Sequence, residues 1–193
     1  MGRAKGPRYV VPFRRRRIGR TRYKKRFALL RSSKPRFVVR KKNRDVIVQI
    51  VDFGYEGDRV LVTVNGKTIA KQFNWPSRRN MPTAYLIGLY AAKLAKQKGV
   101  TEAVPDIGLH SPTKGSIVFG AIKGAIDGGL KMNMNMEISP ERISGKHVAE
   151  YAKVLKEKGE EEYKKRFASY LKQEVNPEKI PELFEQVVKK IRG

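Results

Sequence analysis

The sequence predicts an α/β or α+β domain, a mixed sheet covered by helices, and three observations lead there. Short β-branched runs at residues 37–40, 46–51 and 60–64 are separated by polar turns, as in an antiparallel meander. A helix, a strand and a second helix then alternate between residues 80 and 127. The length, 193 residues, suffices for one substantial core with appendages. The chain divides into a basic arm over residues 1–35, a core over 36–136 and a helical extension over 137–193.

The arm is the most biased stretch. Of the chain's 43 Lys and Arg, 19 precede Asp45, the first of its 18 acids, so most of the net charge of +25 sits at one end. Such a block repels itself, and its natural neutraliser is a polyanion with closely spaced phosphates. We read it as a nucleic-acid-binding arm whose candidate contacts are Lys5, Arg8, Arg14, Arg15, Arg16, Arg17, Arg20, Arg22, Lys24, Lys25 and Arg26. Tyr9, Phe13, Tyr23, Phe27 and Phe37 interrupt the charges, and Tyr9 and Tyr23 join the candidates. The i, i+4, i+7 spacing of Tyr23, Phe27 and Leu30 predicts a helix over residues 18–31 with one narrow apolar stripe. That stripe can dock on bases or on the chain's own body, and both can hold together. Gly2, Gly6, Pro7, Pro12 and Gly19 predict that the chain before it is extended and ordered only in a complex.

In the core, the first turn carries Arg40, Lys41, Lys42, Asn43 and Arg44 beside the arm, and we take these as RNA contacts rather than a merely solvated turn. Asn65-Gly66 suits a type I′ turn, which predicts a fourth short strand through Ile69. Asn80 with Pro82 opens a helix that Gly99 ends, its buried stripe being Ala84, Ile87, Ala91 and Leu94. Residues 104–109 read as a strand in which Pro105, lacking an amide donor, implies an edge or a bulge. A second helix over residues 116–127 is stopped by Gly128-Gly129, and Gly120 and Gly124 inside it imply close packing on the sheet. Beyond residue 137 come helix signals only. Ser144 caps a helix to about Lys158, Gly159 breaks it, Glu160–Glu162 pair with Lys164–Arg166 at i, i+4, and Leu183, Phe184, Val187, Val188 and Ile191 line a last helix.

Composition removes several function classes. No run has the length of a transmembrane helix and no apolar stretch follows Met1, so the expectation is a soluble, non-secreted protein. An acid-free start also fits an organelle transit peptide, but Lys, Pro, Gly and the direct run into a strand weigh against it. A membrane-surface reading of the arm lacks the large apolar face it needs. With no Cys and only His110 and His147, no disulfide or zinc site can be assembled. A charged fraction of 32% without Cys suits a thermophile.

Chemistry-bearing motifs are sparse. Asp52 and Asp106 near strand ends keep a metal-dependent nuclease open as the alternative function. Lys114-Gly115-Ser116 lacks the order of a phosphate loop, but as a helix start with a neighbouring Lys114 it can hold a phosphate. Ser111 and His110 are adjacent in sequence, which does not aim one at the other, and both read as loop residues. Trp75 reads as a lid on the core, and Arg78 and Arg79 behind it as RNA contacts.

Many blocks agree in order with one family. Lys34-Pro35-Arg36-Phe37-Val38-Val39-Arg40, Asn43-Arg44, Gln49-Ile50-Val51-Asp52 and Gly57-Asp58-Arg59-Val60 are succeeded by Asn80 with Ala84-Tyr85-Leu86 and Gly88-Leu89. Asp106-Ile107-Gly108-Leu109, Lys114-Gly115-Ser116 with Val118-Phe119, and Arg142-Ile143 with Gly145-Lys146-His147 complete the set. With these the chain resembles, over residues 8 to about 151, the archaeal form of the L-eighteen family of large-subunit ribosomal proteins. The resemblance implies a ribonuclease-H-like core without the nuclease centre, and no cofactor, metal or small-molecule substrate. It implies binding of 5S rRNA in the central protuberance of a cytoplasmic ribosome, with 23S rRNA and the neighbouring 5S-binding ribosomal protein as further partners. Pro105, where that family carries an aliphatic residue, and the tail after about Lys153 depart from the pattern.

Overall fold

A computed structural model describes residues 6–134 and 137–193. Lys5, a candidate contact, lies outside the described residues, as does the start of the arm. The sheet has four strands, β1 (Arg36–Lys41), β2 (Val46–Asp52), β3 (Arg59–Asn65) and β4 (Val104–Asp106), in the order β3-β2-β1-β4. The first three form the expected antiparallel meander, while β4 runs parallel to β1 with Phe37 opposite Pro105 and Val38 opposite Asp106. A mixed sheet is therefore observed, with Pro105 on an edge strand where its missing donor is tolerated.

Alternation assigns the two faces of the sheet. Phe37, Val39, Val46, Val48, Ile50, Val62 and Val64 point into the main core. Against them lie helices α3 (Gly66–Phe73), α4 (Met81–Gln97) and α5 (Ile117–Asp127). Arg36, Val38 and Arg40 fall by the same alternation on the opposite face, toward the arm.

The structure departs from the expectations at several local points. Asn65 does not start a hairpin: its side chain accepts the Thr68 amide at 2.8 Å and caps α3. The segment beyond the cap, with Ile69 and Phe73 at i, i+4, has helical and not alternating periodicity, and that outweighs the turn signal. Gly66 serves close approach, because a Cβ there would strike the Arg78 backbone. The helix expected over residues 18–31 is shorter, α2 (Tyr23–Leu30), and the stretch before it, expected to be extended, contains a short helix of its own, α1 (Arg14–Arg17). Gly19, at φ +66°, closes α1 with paired bonds from the Gly19 and Arg20 amides to the Arg16 and Arg15 carbonyls, so Ile18 belongs to the end of the first helix. The strand expected to reach residue 109 stops at Asp106, where the chain turns at Gly108 (φ +62°).

Gly120 and Gly124 pack on α4 rather than on the sheet. A Cβ on Gly124 would overlap the Tyr85 carbonyl, and one on Gly88 of α4 would overlap the Ala121 carbonyl. Glycines on both helices thus let the two backbones meet. Asn80 caps α4 as expected, accepting from the Thr83 amide at 2.8 Å, and Trp75 is fully buried, its indole donating to Thr83 Oγ1 at 2.7 Å.

After residue 137 the chain forms α6 (Pro140–Ser144), α7 (Lys146–Lys158), α8 (Glu160–Arg166) and α9 (Ala168–Leu171), then a 3-10 turn and α10 (Ile180–Arg192). Ser144 ends α6 instead of capping the next helix, since Gly145 at φ +87° makes the joint. Of the expected charge pairs, Glu160–Lys164 is formed at 3.4 Å. Ala152, Leu155 and Phe167 make a small separate cluster, but Ile180, Phe184, Val187 and Ile191 of α10 sit in the main core.

The glycine contact gives a direct test. Gly88→Ala or Gly124→Ala should destabilise by roughly 1–3 kcal/mol or more through overpacking. Gly159→Ala, where a Cβ meets nothing within 4 Å, is the control and should leave the urea midpoint close to the parent value.

Candidate nucleic-acid interface

The arm is tied to the sheet by a chain of alternating charges. The Arg26 guanidinium donates to both Asp58 oxygens at 2.9 Å. Arg36 Nη2 lies 2.7 Å from Asp58 Oδ2, and Arg36 Nη1 lies 3.4 Å from Asp106 Oδ2. Arg40 reaches Asp106 Oδ1 at 3.2 Å and donates to the Asp106 carbonyl at 2.8 Å. The Arg36 side chain is 5% exposed, and its Nη2 contact is close but poorly aligned, so it acts as an ion pair more than a hydrogen bond. Arg36 Nε is buried without a hydrogen-bond partner among the described residues. Burial would raise the Asp106 carboxyl, but the Arg40 guanidinium, the Gly108 amide at 2.8 Å and Arg36 outweigh it and hold the group below its ordinary value.

This arrangement answers the metal question for Asp106. Its oxygens are held by two guanidiniums and an amide, while Asp52, exposed and accepting from the Phe53 amide at 2.9 Å, stands on β2 with β1 between them. Among the described residues no group of three His, Asp or Glu is placed to hold a metal.

Outward from the charge chain runs a basic rim. Arg15 donates to Thr21 Oγ1 at 2.9 Å and the Phe13 and Tyr23 rings lie 5.8 Å apart, which folds α1 back on the start of α2. Lys25 Nζ reaches the Gly108 carbonyl at 3.5 Å. The Lys41 amide donates to His110 Nε2 at 3.2 Å, joining the β1–β2 turn to the loop that carries Lys114. Burial first, then Lys41 and Arg40, lowers the His110 pKa, which suits an imidazole that accepts at Nε2. Arg79 donates to the Asn43 carbonyl at 2.8 Å, which brings Arg78 and Arg79 to the same turn. Between α2 and the sheet is a cleft of about 800 Å³ lined by Arg15, Arg20, Arg22, Lys25, Arg36 and Arg40 among others.

The predicted residues therefore fall into two groups. Arg8, Tyr9, Arg14, Arg15, Arg16, Arg17, Arg20, Arg22, Lys24, Lys25, Lys41, Lys42, Asn43, Arg44, Arg78, Arg79 and Lys114 are exposed. Arg26 and Arg40 are half-buried with their guanidiniums turned to carboxylates, and Tyr23 is half-buried against Phe13. Sequence reasoning missed Arg36 and Asp58 as the joint of arm and core. The signal was present in one strand, where Arg36 and Arg40 share a face across Val38, but their acidic partners are far along the chain. At the start of α5, Ser116 takes the cap position without a side-chain bond, and its buried hydroxyl has no partner.

Residues 7–104 and 93–135 match the family model described as ribosomal large subunit proteins 60S L5 and 50S L18. Across 190 residues, 97% of this chain and 93% of the relative, the sequence is 49% identical to the large ribosomal subunit protein uL18 of Ignicoccus hospitalis.

Asp106→Asn should leave the buried Arg36 with Asp58 as its remaining carboxylate and take the charged acceptor from Arg40, at a cost of roughly 1–3 kcal/mol in denaturant unfolding. The folded pKa of Asp106 lies below its unfolded value, so its contribution is complete above about pH 3.9 and is lost as pH falls through the lower folded value. The parent should thus lose more stability on acidification than the variant.

Proposed function

Since the chain belongs to the family of large-subunit ribosomal proteins 60S L5 and 50S L18, we propose that it binds 5S rRNA without catalysis. In this reading it anchors that RNA to 23S rRNA in the central protuberance, beside the neighbouring 5S-binding ribosomal protein. The protein is a structural constituent of the large ribosomal subunit, a cytoplasmic part of the archaeal translation machinery.

The observation that carries the reading is the continuity of the exposed cations. Arm, β1–β2 turn, Arg78–Arg79 loop and Lys114 loop are linked by hydrogen bonds, yet their charged ends stay in solvent. Guanidinium and ammonium groups spaced along a rim match phosphates on a folded RNA, whose deep major groove admits few side chains. Recognition is therefore by shape and phosphate. Residues 1–35 serve as the RNA arm, 36–136 as the scaffold that orients it, and 137–193 as a helical appendage.

The test is salt dependence. About six to ten phosphate contacts would lower affinity for 5S rRNA roughly 10³- to 10⁵-fold between about 50 and 200 mM salt. Arg14, Arg15, Arg16 and Arg17 are all exposed, so replacing the four with Ala should leave the fold intact. The logarithmic salt slope should flatten by about two to four units. Identical slopes for variant and parent would remove the arm as the main phosphate clamp.

A further inference from the structure

A second surface at the C-terminal end of α2 shares no lining residue with the charge chain or with the candidate contacts of the basic rim. Phe27, Phe53 and Tyr55 line a cleft of about 470 Å³ together with Arg31, Lys34 and Asp52. Phe27 is 68% exposed, Phe53 48% and Tyr55 wholly exposed. The Phe53 and Tyr55 rings meet edge-on at 5.6 Å, which leaves ring faces free. None of the three belongs to a core cluster, so folding does not account for them.

The chemistry around the rings selects the occupant. Lys34 is paired with Glu102 at 2.5 Å, whereas Arg31 has no ion pair among the described residues. An exposed guanidinium beside open aromatic faces suits a phosphate next to a stacked base. Asp52 on the same wall repels phosphate but accepts from a base amino group, so the charges sort a nucleotide into a base end and a phosphate end. The cleft falls within the ~300–1,000 Å³ of small-ligand sites, enough for one or two bases. It is also continuous, through α2, with the basic rim: Arg22, Lys24 and Lys25 stand on or beside the helix that carries Phe27.

We propose that this aromatic cleft is a stacking site for an unpaired base of the bound RNA, which adds a salt-insensitive contact to the phosphate clamp. The proposal rests on the RNA-binding function proposed for the basic rim. It differs from that function in kind, because stacking requires a flat π-face and releases no counterions.

The experiment titrates 5S rRNA with the full-length parent and with Phe53→Ala, Tyr55→Ala, Tyr55→Leu and Tyr55→Trp. Tyr55→Ala, Tyr55→Leu and Phe53→Ala should each weaken binding by about 5- to 150-fold with the salt slope unchanged. Tyr55→Trp should bind like the parent, since an indole stacks at least as well. Single-strand chemical probing of the complex should reveal one or two unpaired bases shielded by the parent and exposed by Tyr55→Ala. Because Tyr55 is wholly exposed and belongs to no core cluster, its variants should melt with the parent. If the parent binds 5S rRNA but all variants bind equally, the stacking site is wrong while the arm reading stands. If Tyr55→Leu binds like the parent while Tyr55→Ala does not, the cleft needs apolar bulk and not a flat π-face, and the proposal fails. If the parent itself does not bind 5S rRNA, the broader reading has failed first.

Discussion

Two carboxylates hold the molecule's functional geometry together. Asp58 and Asp106 are each shared between arginines, and the three guanidiniums come from α2, the start of β1 and its end. Burying a guanidinium such as Arg36 costs several kcal/mol in lost hydration, and the network offsets this only because both acids are present. The arm, strongly self-repelling on its own, gains a fixed direction from this contact. The position of the basic rim relative to the sheet depends on it, as does the opening of the cleft beneath α2.

The division of labour between the faces of the sheet has the same origin. One face is packed with aliphatic side chains against α3, α4 and α5 and is insensitive to salt. The other bears charges that must be paired or solvated. A cation beside that face either finds an acid, as Arg36 does, or, like Arg20 and Lys24 of the arm, is exposed without an ion pair among the described residues. Within the same basic stretch, the buried Arg36 and half-buried Arg26 and Arg40 are tied to the fold, while the exposed cations contribute no contact to the core.

Much of this was legible in the sequence because it is local. The three meander strands, the Asn80 cap, the edge position of Pro105 and the arm's charge each depend on neighbours within a few residues. What was missed is set at long range. Arg36 and Asp106 are 70 residues apart in the chain, so their pairing leaves no local pattern. Gly120 and Gly124 reveal close packing but not the partner, which is another helix. Asn65-Gly66 is ambiguous between a turn and a helix cap, and Thr68, Ile69 and Phe73 beyond it decide the matter. Among the candidate contacts, exposure separates those that face solvent from Arg26 and Arg40, a distinction no sequence pattern carries.

Pro105 has a consequence for the chain before it meets its RNA. The Val104 amide donates inward to the Pro35 carbonyl at 2.9 Å, and the alternation of a strand then turns the backbone of residue 105 toward the open side of the sheet. On the β4 edge, the position whose amide would face a passing strand therefore carries no N–H. A freshly made chain, not yet neutralised by phosphate, presents on this side of the sheet a short edge that lacks the outward donor a second copy would need. Here the imino acid, together with mutual charge repulsion, guards one edge of a small sheet against self-association during the interval in which it stands alone.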